Sequence, residues 1–276
     1  MTIHLRPPVA LLLLVVIAGG TAIAGSQAPE LPDTLPLDMS VWYRRDYARC
    51  NGAGRVTIGG NIITIEADHS ALKYWQVPTL IGPLLINERL GWIRRCDRPP
   101  GSFGTEARKR AEEQQITIRV TDYPYISWRW RIQGTVDDSR TADRAGRIPS
   151  GGDDFAAKLG IQMLPEGGND LREIAYVWTR SIPEGTTLVQ EAGALFWHFR
   201  FYRIVAESGD EYVGQWRTET RNLVEEYKRI WPDEEPGVLM RIFLMTDGDN
   251  TGTKATASYA DIVLHRALPE RLDPDR

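Results

Sequence analysis

VLMRIFLMTDGDNTGTKATASYADIVL, residues 238–264, decides the fold reading. Met240, Ile242 and Leu244 alternate before an Asp/Gly/Asn loop, and Ile262 and Leu264 alternate after it. In an extended chain alternate side chains share a face, so each flank presents an apolar face. The stretch predicts a closing hairpin whose two strands face each other across residues 247–252, with their apolar faces completing a core. Asp261, just before the last apolar residues, is expected to tie the final strand to a neighbour.

The same two-residue period recurs upstream. Residues 55–67, RVTIGGNIITIEA, alternate around Gly59-Gly60 and predict a hairpin. Residues 70–77 predict a further strand. Residues 116–133, ITIRVTDYPYISWRWRIQ, predict two strands divided at Pro124, with Ile126, Trp128, Trp130 and Ile132 on one face and Ser127, Arg129 and Arg131 on the other. Phe155, Ala157, Leu159, Ile161 and Met163 give one face of the next strand; Lys158 and Gln162 point the other way. Residues 174–180 follow. In 195–205, LFWHFRFYRIV, the period assigns Leu195, Trp197, Phe199 and Phe201 to the core, and Phe196, His198, Arg200 and Tyr202 to an aromatic and polar second face.

Helical signals are few. In NLVEEYKRIW, residues 222–231, Asn222 can cap and Glu225 sits at the capping-box position. Leu223, Tyr227, Ile230 and Trp231 share one stripe, and Pro232 ends the helix. Residues 80–96 suit a short covering helix, and 98–115 a polar surface loop with a helical turn or two. Residues 136–152 form a long polar loop of the kind that is often functional or mobile. Many short strands with one firm helix predict a mainly β fold: an antiparallel jelly-roll-type β-sandwich with one or two short helices.

The N-terminus reads as an export signal. Arg6 precedes an apolar run from Val9 to Gly20, and Ala22-Ile23-Ala24 is a small-x-small cleavage signal, placing the cut after Ala24. The run is shorter than the ~20 residues of a spanning helix, so an uncleaved anchor is the lesser reading. No membrane span is expected after cleavage, and the compartment is periplasmic or secreted. Removing residues 1–24 leaves 252 of the 276 residues and, with Arg6 gone, moves the formal net charge from −4 to −5. That balance, with no basic excess, argues against a nucleic-acid partner. Residues 25–40 read as a flexible leader, 41–266 as a single sandwich domain and 267–276 as a polar tail. Cys50 and Cys96, the only two cysteines, are expected to form one disulfide in an exported chain, contributing about 3–4 kcal/mol in the chain-entropy model.

Five blocks carry a family resemblance: YISWRWRI at 125–132, GGDDFAAKLGIQM at 151–163, IAYVWT at 174–179, GQWRTETRNLVEEYKRIW at 214–231 and LMTDGDNTGTKATASYADIVL at 244–264. Their order and spacing resemble the DUF3047 family of exported bacterial proteins, from about Trp42 to Leu264. The resemblance implies a periplasmic or secreted β-rich domain and no enzyme activity. The segment around 80–115, which carries Cys96, is longer than the family pattern requires.

The chemistry-bearing residues point to binding more than to catalysis. Arg129, Arg131, Asp153, Asp154, Lys158, His198, Arg200 and Tyr202 are the candidate ligand-binding set, with the second faces of several strands lining one concave sheet surface. Asp153 and Asp154 open a strand after a glycine-containing loop; a structural salt bridge to arginine is their other reading. Asp247 and Asp249 are candidate ligands of a calcium ion. An EF-hand is rejected, because Ser258 stands where a bidentate Glu belongs; a turn closed by Asx side chains on their own backbone is the preferred alternative. A phosphate cradle fails on glycine spacing and on Ala255. Nothing in the spacing of Asp153, Asp154, Glu191, Glu219 and Asp261 selects a glycosidase pair, no Gly-x-Ser-x-Gly elbow exists, and His69, His198 and His265 show no ligand spacing. The expectation is a non-catalytic binding or accessory domain for a carbohydrate or another envelope component, needing no cofactor. A glycan-active hydrolase or lyase on the same sandwich, and an envelope protein-interaction domain, are the alternatives.

Overall fold

The computed structural model describes residues 32–37, 43–46, 54–69, 71–76, 118–138, 141, 146–149, 152–168, 170–194 and 197–270, with backbone alone at 43–46, 72–76, 192–194 and 197–199. The export signal, Cys50 and Cys96, the segment 80–115, the His198 side chain and the tail beyond 270 lie outside these residues.

Fourteen strands and one helix are seen among the described residues: β1 (Thr34–Pro36), β2 (Tyr43–Asp46), β3 (Arg55–Gly59), β4 (Ile62–Asp68), β5 (Ala71–Gln76), β6 (Tyr125–Ile132), β7 (Arg147–Ile148), β8 (Ala157–Pro165), β9 (Arg172–Thr179), β10 (Thr187–Ala194), β11 (Trp197–Ser208), β12 (Arg217–Asn222), α1 (Leu223–Ile230), β13 (Pro236–Asp247) and β14 (Lys254–His265). They form the two-sheet sandwich that the period-two pattern predicts. Sheet A runs β12-β6-β14-β4-β3, with β1 also on β14; sheet B runs β2-β5-β13-β8-β9-β11-β10-β7. All pairs in sheet A are antiparallel. Sheet B departs from the antiparallel expectation at two pairs, β11 with β9 and β10 with β7, which are parallel.

The closing hairpin is corrected. β13 lies between β5 and β8 in sheet B, whereas β14 lies between β6 and β4 in sheet A. The chain therefore crosses from one layer to the other between Asp247 and Lys254 instead of turning back beside itself. A two-residue turn enforces hairpin pairing; the six residues 248–253 can span the ~10 Å between packed sheets. Both strands are buried on both faces over most of their length, so alternation could not reveal which layer each joins.

Aromatic side chains fill the space between the layers. Trp128 packs on Tyr176 with ring centres 5.0 Å apart, Trp130 on Trp178 at 5.9 Å, and the two tryptophans of β6 meet edge-on at 5.4 Å. Tyr259 reaches across from sheet A: its hydroxyl donates to the Met245 carbonyl at 2.7 Å and accepts from the Lys158 amide at 3.2 Å. A buried hydroxyl needs such partners, and these bind β14 to β13 and β8. On the other side of sheet B, Phe243 lies across Gly160, its cross-strand partner, where an added Cβ would stand 2.0 Å from the ring.

Two local expectations are met. Asn222 caps α1, its Oδ1 accepting from the amides of Val224 and Glu225 at 3.1 and 3.2 Å. Asp261 sits in a bulge of β14 with φ of 51° and accepts from Arg129 at 3.2 Å and Asn61 at 2.5 Å. Part of the leader read as flexible is a strand: β1 pairs with β14 and Leu37 is buried, because Leu35 and Leu37 bring apolar surface to the sheet edge. No helix among the described residues is long and apolar enough to cross a membrane.

Candidate functional site

The face of sheet B turned away from sheet A carries a hydrogen-bonded row of polar side chains. Register dictates who meets whom. Gln162 of β8 is opposite Glu173 of β9, and Phe201 of β11 lies between Glu173 and Gln190 of β10. Gln162 Nε2 donates to Glu173 Oε2 at 2.6 Å, Arg203 Nη1 to Glu173 Oε1 at 2.8 Å, Arg203 Nη2 to Gln190 Oε1 at 2.9 Å and Gln190 Nε2 to Asp153 Oδ2 at 3.0 Å. The guanidinium of Arg203 also stands over the Phe201 ring, 5.5 Å from its centre. Gln162, Glu173 and Arg203 are buried, while Gln190, Asp153 and Phe201 are half-buried. The row thus runs from a closed end to an open end.

Lys158 lies on the same face, 1% exposed. Its ammonium donates to the Asp153 carbonyl at 3.2 Å and to Met245 Sδ at 3.7 Å, rests 5.0 Å over the Phe155 ring, and stands 4.0 Å from Asp247 Oδ2. Burial, then repulsion from Arg203, depresses the Lys158 pKa. Burial pushes Asp153 up, but Lys158, the Gln190 hydrogen bond and Arg203 outweigh it and hold the carboxyl below its ordinary range.

Beyond Lys158 the face ends in acid. Asp154 fastens the crossover between the layers: its Oδ2 accepts from the Thr251 amide and hydroxyl, both at 2.7 Å, and from the Asn250 amide at 3.1 Å, and its Oδ1 accepts from Asn250 Nδ2 at 2.9 Å. One carboxylate oxygen from each of Asp154, Asp247 and Asp249 lies within 4.8 Å of the other two. Asp247 is 2% exposed and its Oδ1 has no hydrogen-bond partner. Burial, then the neighbouring aspartates, drives Asp247 well above the carboxylate range despite Lys158, and Asp249 is raised by burial and by the Asp154 charge.

A second polar cluster lies between the sheets at the β12 edge. Arg217 Nε donates to Glu207 Oε1 and Arg221 Nη2 to Glu219 Oε2, each at 2.6 Å. Burial pushes Glu219 up to about 8; Arg221 opposes this, and the charge and hydrogen bond of Glu207 reinforce it. A protonated Glu219 carboxyl is what Glu207 Oε2, otherwise buried without a partner, requires. The indole N–H groups of Trp128 and Trp130 and the Tyr176 hydroxyl are also unpartnered in this region.

The candidate residues read from the sequence fall in four places. Lys158 and Asp153 lie on the outer face of sheet B, and Asp154 joins Asp247 and Asp249 at its acidic end. Arg129 and Arg131 are on the opposite side of the molecule, on the outer face of sheet A, flanking Trp216 at 5.1 and 5.0 Å from its ring centre. Tyr202 faces inward and packs edge-on against Trp231 at 5.1 Å. Arg200 is exposed beside Glu191 at 3.2 Å. The faces of β11 are therefore exchanged relative to the reading: Tyr202 and Ile204 point toward sheet A, and Phe201 and Arg203 away from it. Both faces of β11 are covered here, so apolar residues stand on both and the alternation is ambiguous. Arg203, Glu173 and Gln190 were missed because each is an ordinary polar residue in a strand; only their register unites them. The pairing of Glu219 with Glu207 likewise depends on two strands in different sheets.

No curated protein matches the chain in sequence. Among solved structures, the Cel12A cellulase variant derived from Rhodothermus marinus aligns over 83% of this chain and 98% of its own at 10% identity, with a TM-score of 0.40. The xyloglucanase domain of NopAA from Sinorhizobium fredii aligns over 81% and 92% at 8% identity and 0.38. The family 11 carbohydrate-binding module of Clostridium thermocellum aligns over 86% and 98% at 8% identity and 0.35. At such identities and scores the likeness carries nothing about activity or ligand. The sequence profile described as "Protein of unknown function (DUF3047)" matches residues 106–263, more than half of the chain, and with it all five blocks but the last residue of the fifth: the protein belongs to the DUF3047 family.

Proposed function

We propose that the protein is an exported, non-catalytic binding domain whose ligand is a carbohydrate or a similarly hydroxyl-rich envelope component. The ligand lies over the open end of the polar row on the outer face of sheet B, against Gln190, Asp153 and Phe201. One observation carries this reading: amide, carboxylate and guanidinium groups from four adjacent strands and the segment before β8 are linked into a chain on the face turned away from sheet A. At the closed end protein partners hold both Arg203 Nη groups and both Glu173 oxygens, which fixes the rotamers of the open end. Gln190 uses one N–H and one lone pair in the chain, leaving one of each for a ligand, and Asp153 stays ionised as an acceptor. Paired donors and acceptors at the open end suit the hydroxyls of a sugar.

A glycan-active enzyme is the second reading, favoured by Glu219 held protonated beside Glu207. Their contact is direct, however, whereas the two carboxyls of a retaining glycosidase stand ~5 Å apart around a bond, and both lie between the sheets. For the protein-interaction reading, the large apolar side chains exposed among the described residues are Ile58 and Ile62, beside the β3–β4 turn, and Leu268.

The reading is tested by native affinity electrophoresis of the mature protein in gels containing soluble β-glucan, xylan or a polyuronate. Retardation by at least one polysaccharide, reversed by its free oligosaccharide, is expected. Unchanged mobility in every gel, together with no heat of binding to the oligosaccharides, contradicts it.

A further inference from the structure

We infer that Asp154, Asp247 and Asp249 hold a calcium ion that clasps the crossover between the two sheets to the start of β8. The inference does not rest on the ligand reading, though Asn250 Nδ2 donates to both Asp153 and Asp154.

Two independent observations lead there. One is the convergence of three carboxylate oxygens within 4.8 Å of one another, from segments as far apart in sequence as Asp154 and Asp249. The other is Asp247 Oδ1. It is buried and lacks any hydrogen-bond partner, while Oδ2 is the oxygen that faces Lys158, at 4.0 Å. A buried carboxylate oxygen left bare is costly, and here it belongs to a residue surrounded by other acids. The nearest ammonium is too far for a hydrogen bond and already serves the Asp153 carbonyl. A cation among the three oxygens satisfies Oδ1 and cancels the repulsion together.

The donor set selects the ion. It is all oxygen, which suits calcium or magnesium over softer metals. Calcium takes several protein oxygens in a flexible shell, while magnesium demands a tighter one and prefers to keep its waters. Asp154 is already immobilised by Asn250 and Thr251, so its carboxylate is oriented before the ion arrives, and exposed Asp249 supplies the entry side. The loop backbone also has little freedom: a Cβ on Gly248 would lie 2.6 Å from the Thr253 carbonyl oxygen.

The test is thermal unfolding and calorimetric titration of the EGTA-treated mature protein with CaCl2 and, separately, MgCl2. Calcium is expected to bind as a single site and to raise Tm with concentration, as any ligand of the native state does, with a much weaker magnesium response. Asp249→Asn, an exposed change that should leave the fold intact, is expected to weaken calcium binding at least about tenfold. Asp247→Asn should abolish the response. A wild-type Tm identical in EGTA and millimolar calcium, with no heat of binding, overturns the site. So does full calcium binding by Asp249→Asn. A magnesium response equal to that of calcium overturns the choice of ion.

Discussion

Arg203 Nη1 donates to Glu173 Oε1 at 2.8 Å, with both side chains 5% exposed, on the face of sheet B that looks away from sheet A. Such a pair gains little over an apolar substitute, but breaking it strands a charge. Arg203→Met is therefore expected to destabilise by about 3–5 kcal/mol, whereas Arg203→Met with Glu173→Met should recover most of that loss. Urea unfolding of the two variants checks this; a double variant no more stable than the single one contradicts it.

Glu219 gives the fold a pH dependence. Its carboxyl, raised to about 8 in the folded protein, ionises near 4.3 in the unfolded chain. Between those values the native state holds the extra proton, so this contribution to stability is complete below ~pH 4.3 and declines as pH rises toward 8. Glu219→Gln can still donate to Glu207 without ionising. Its Tm relative to wild type should climb from pH 5 to pH 8; a constant difference across that range would refute the shared proton.

Gly160 is needed beneath Phe243. A methyl group there would overlap the ring, so Gly160→Ala should cost about 1–3 kcal/mol, as overpacking does. Gly160→Ala combined with Phe243→Leu should be more stable than Gly160→Ala alone in the same unfolding assay. Equal stability would place the cost elsewhere.

Asn222→Ala removes the acceptor of the first two free amides of α1 and should lose about 1 kcal/mol. Ligand and calcium binding should be unchanged, because the Asn222 side chain serves only the helix amides of Val224 and Glu225. Calorimetry beside a melting curve separates the two effects.

The strands were legible because burial against one partner layer imposes a period of two, as in β4 and β6, and because Asn222 and Gly59-Gly60 act locally. What sequence could not carry was pairing between distant segments. The 238–264 stretch has the pattern of a hairpin, yet its strands enter different sheets, and its covered faces made that invisible. Asp247 and Asp249 stood out as neighbours in a loop, but Asp154 joined them only through folding. The Arg203–Glu173–Gln190 row is scattered over β9, β10 and β11 and has no local signature. Arg129 and Arg131 were correctly assigned to a face away from the core, though to the outer face of the sheet opposite the one carrying Lys158.

The central claim is that the ligand sits on the outer face of sheet B. The most direct measurement compares, on whichever polysaccharide retards the wild type, the dissociation constants of Gln190→Ala and Trp216→Ala, the latter altering the outer face of sheet A. Losing hydrogen bonds from Gln190 should weaken binding about tenfold with the melting curve still cooperative, and Trp216→Ala should bind as wild type does. Undiminished binding by Gln190→Ala with a loss in Trp216→Ala would contradict the assignment and move the site to the opposite face.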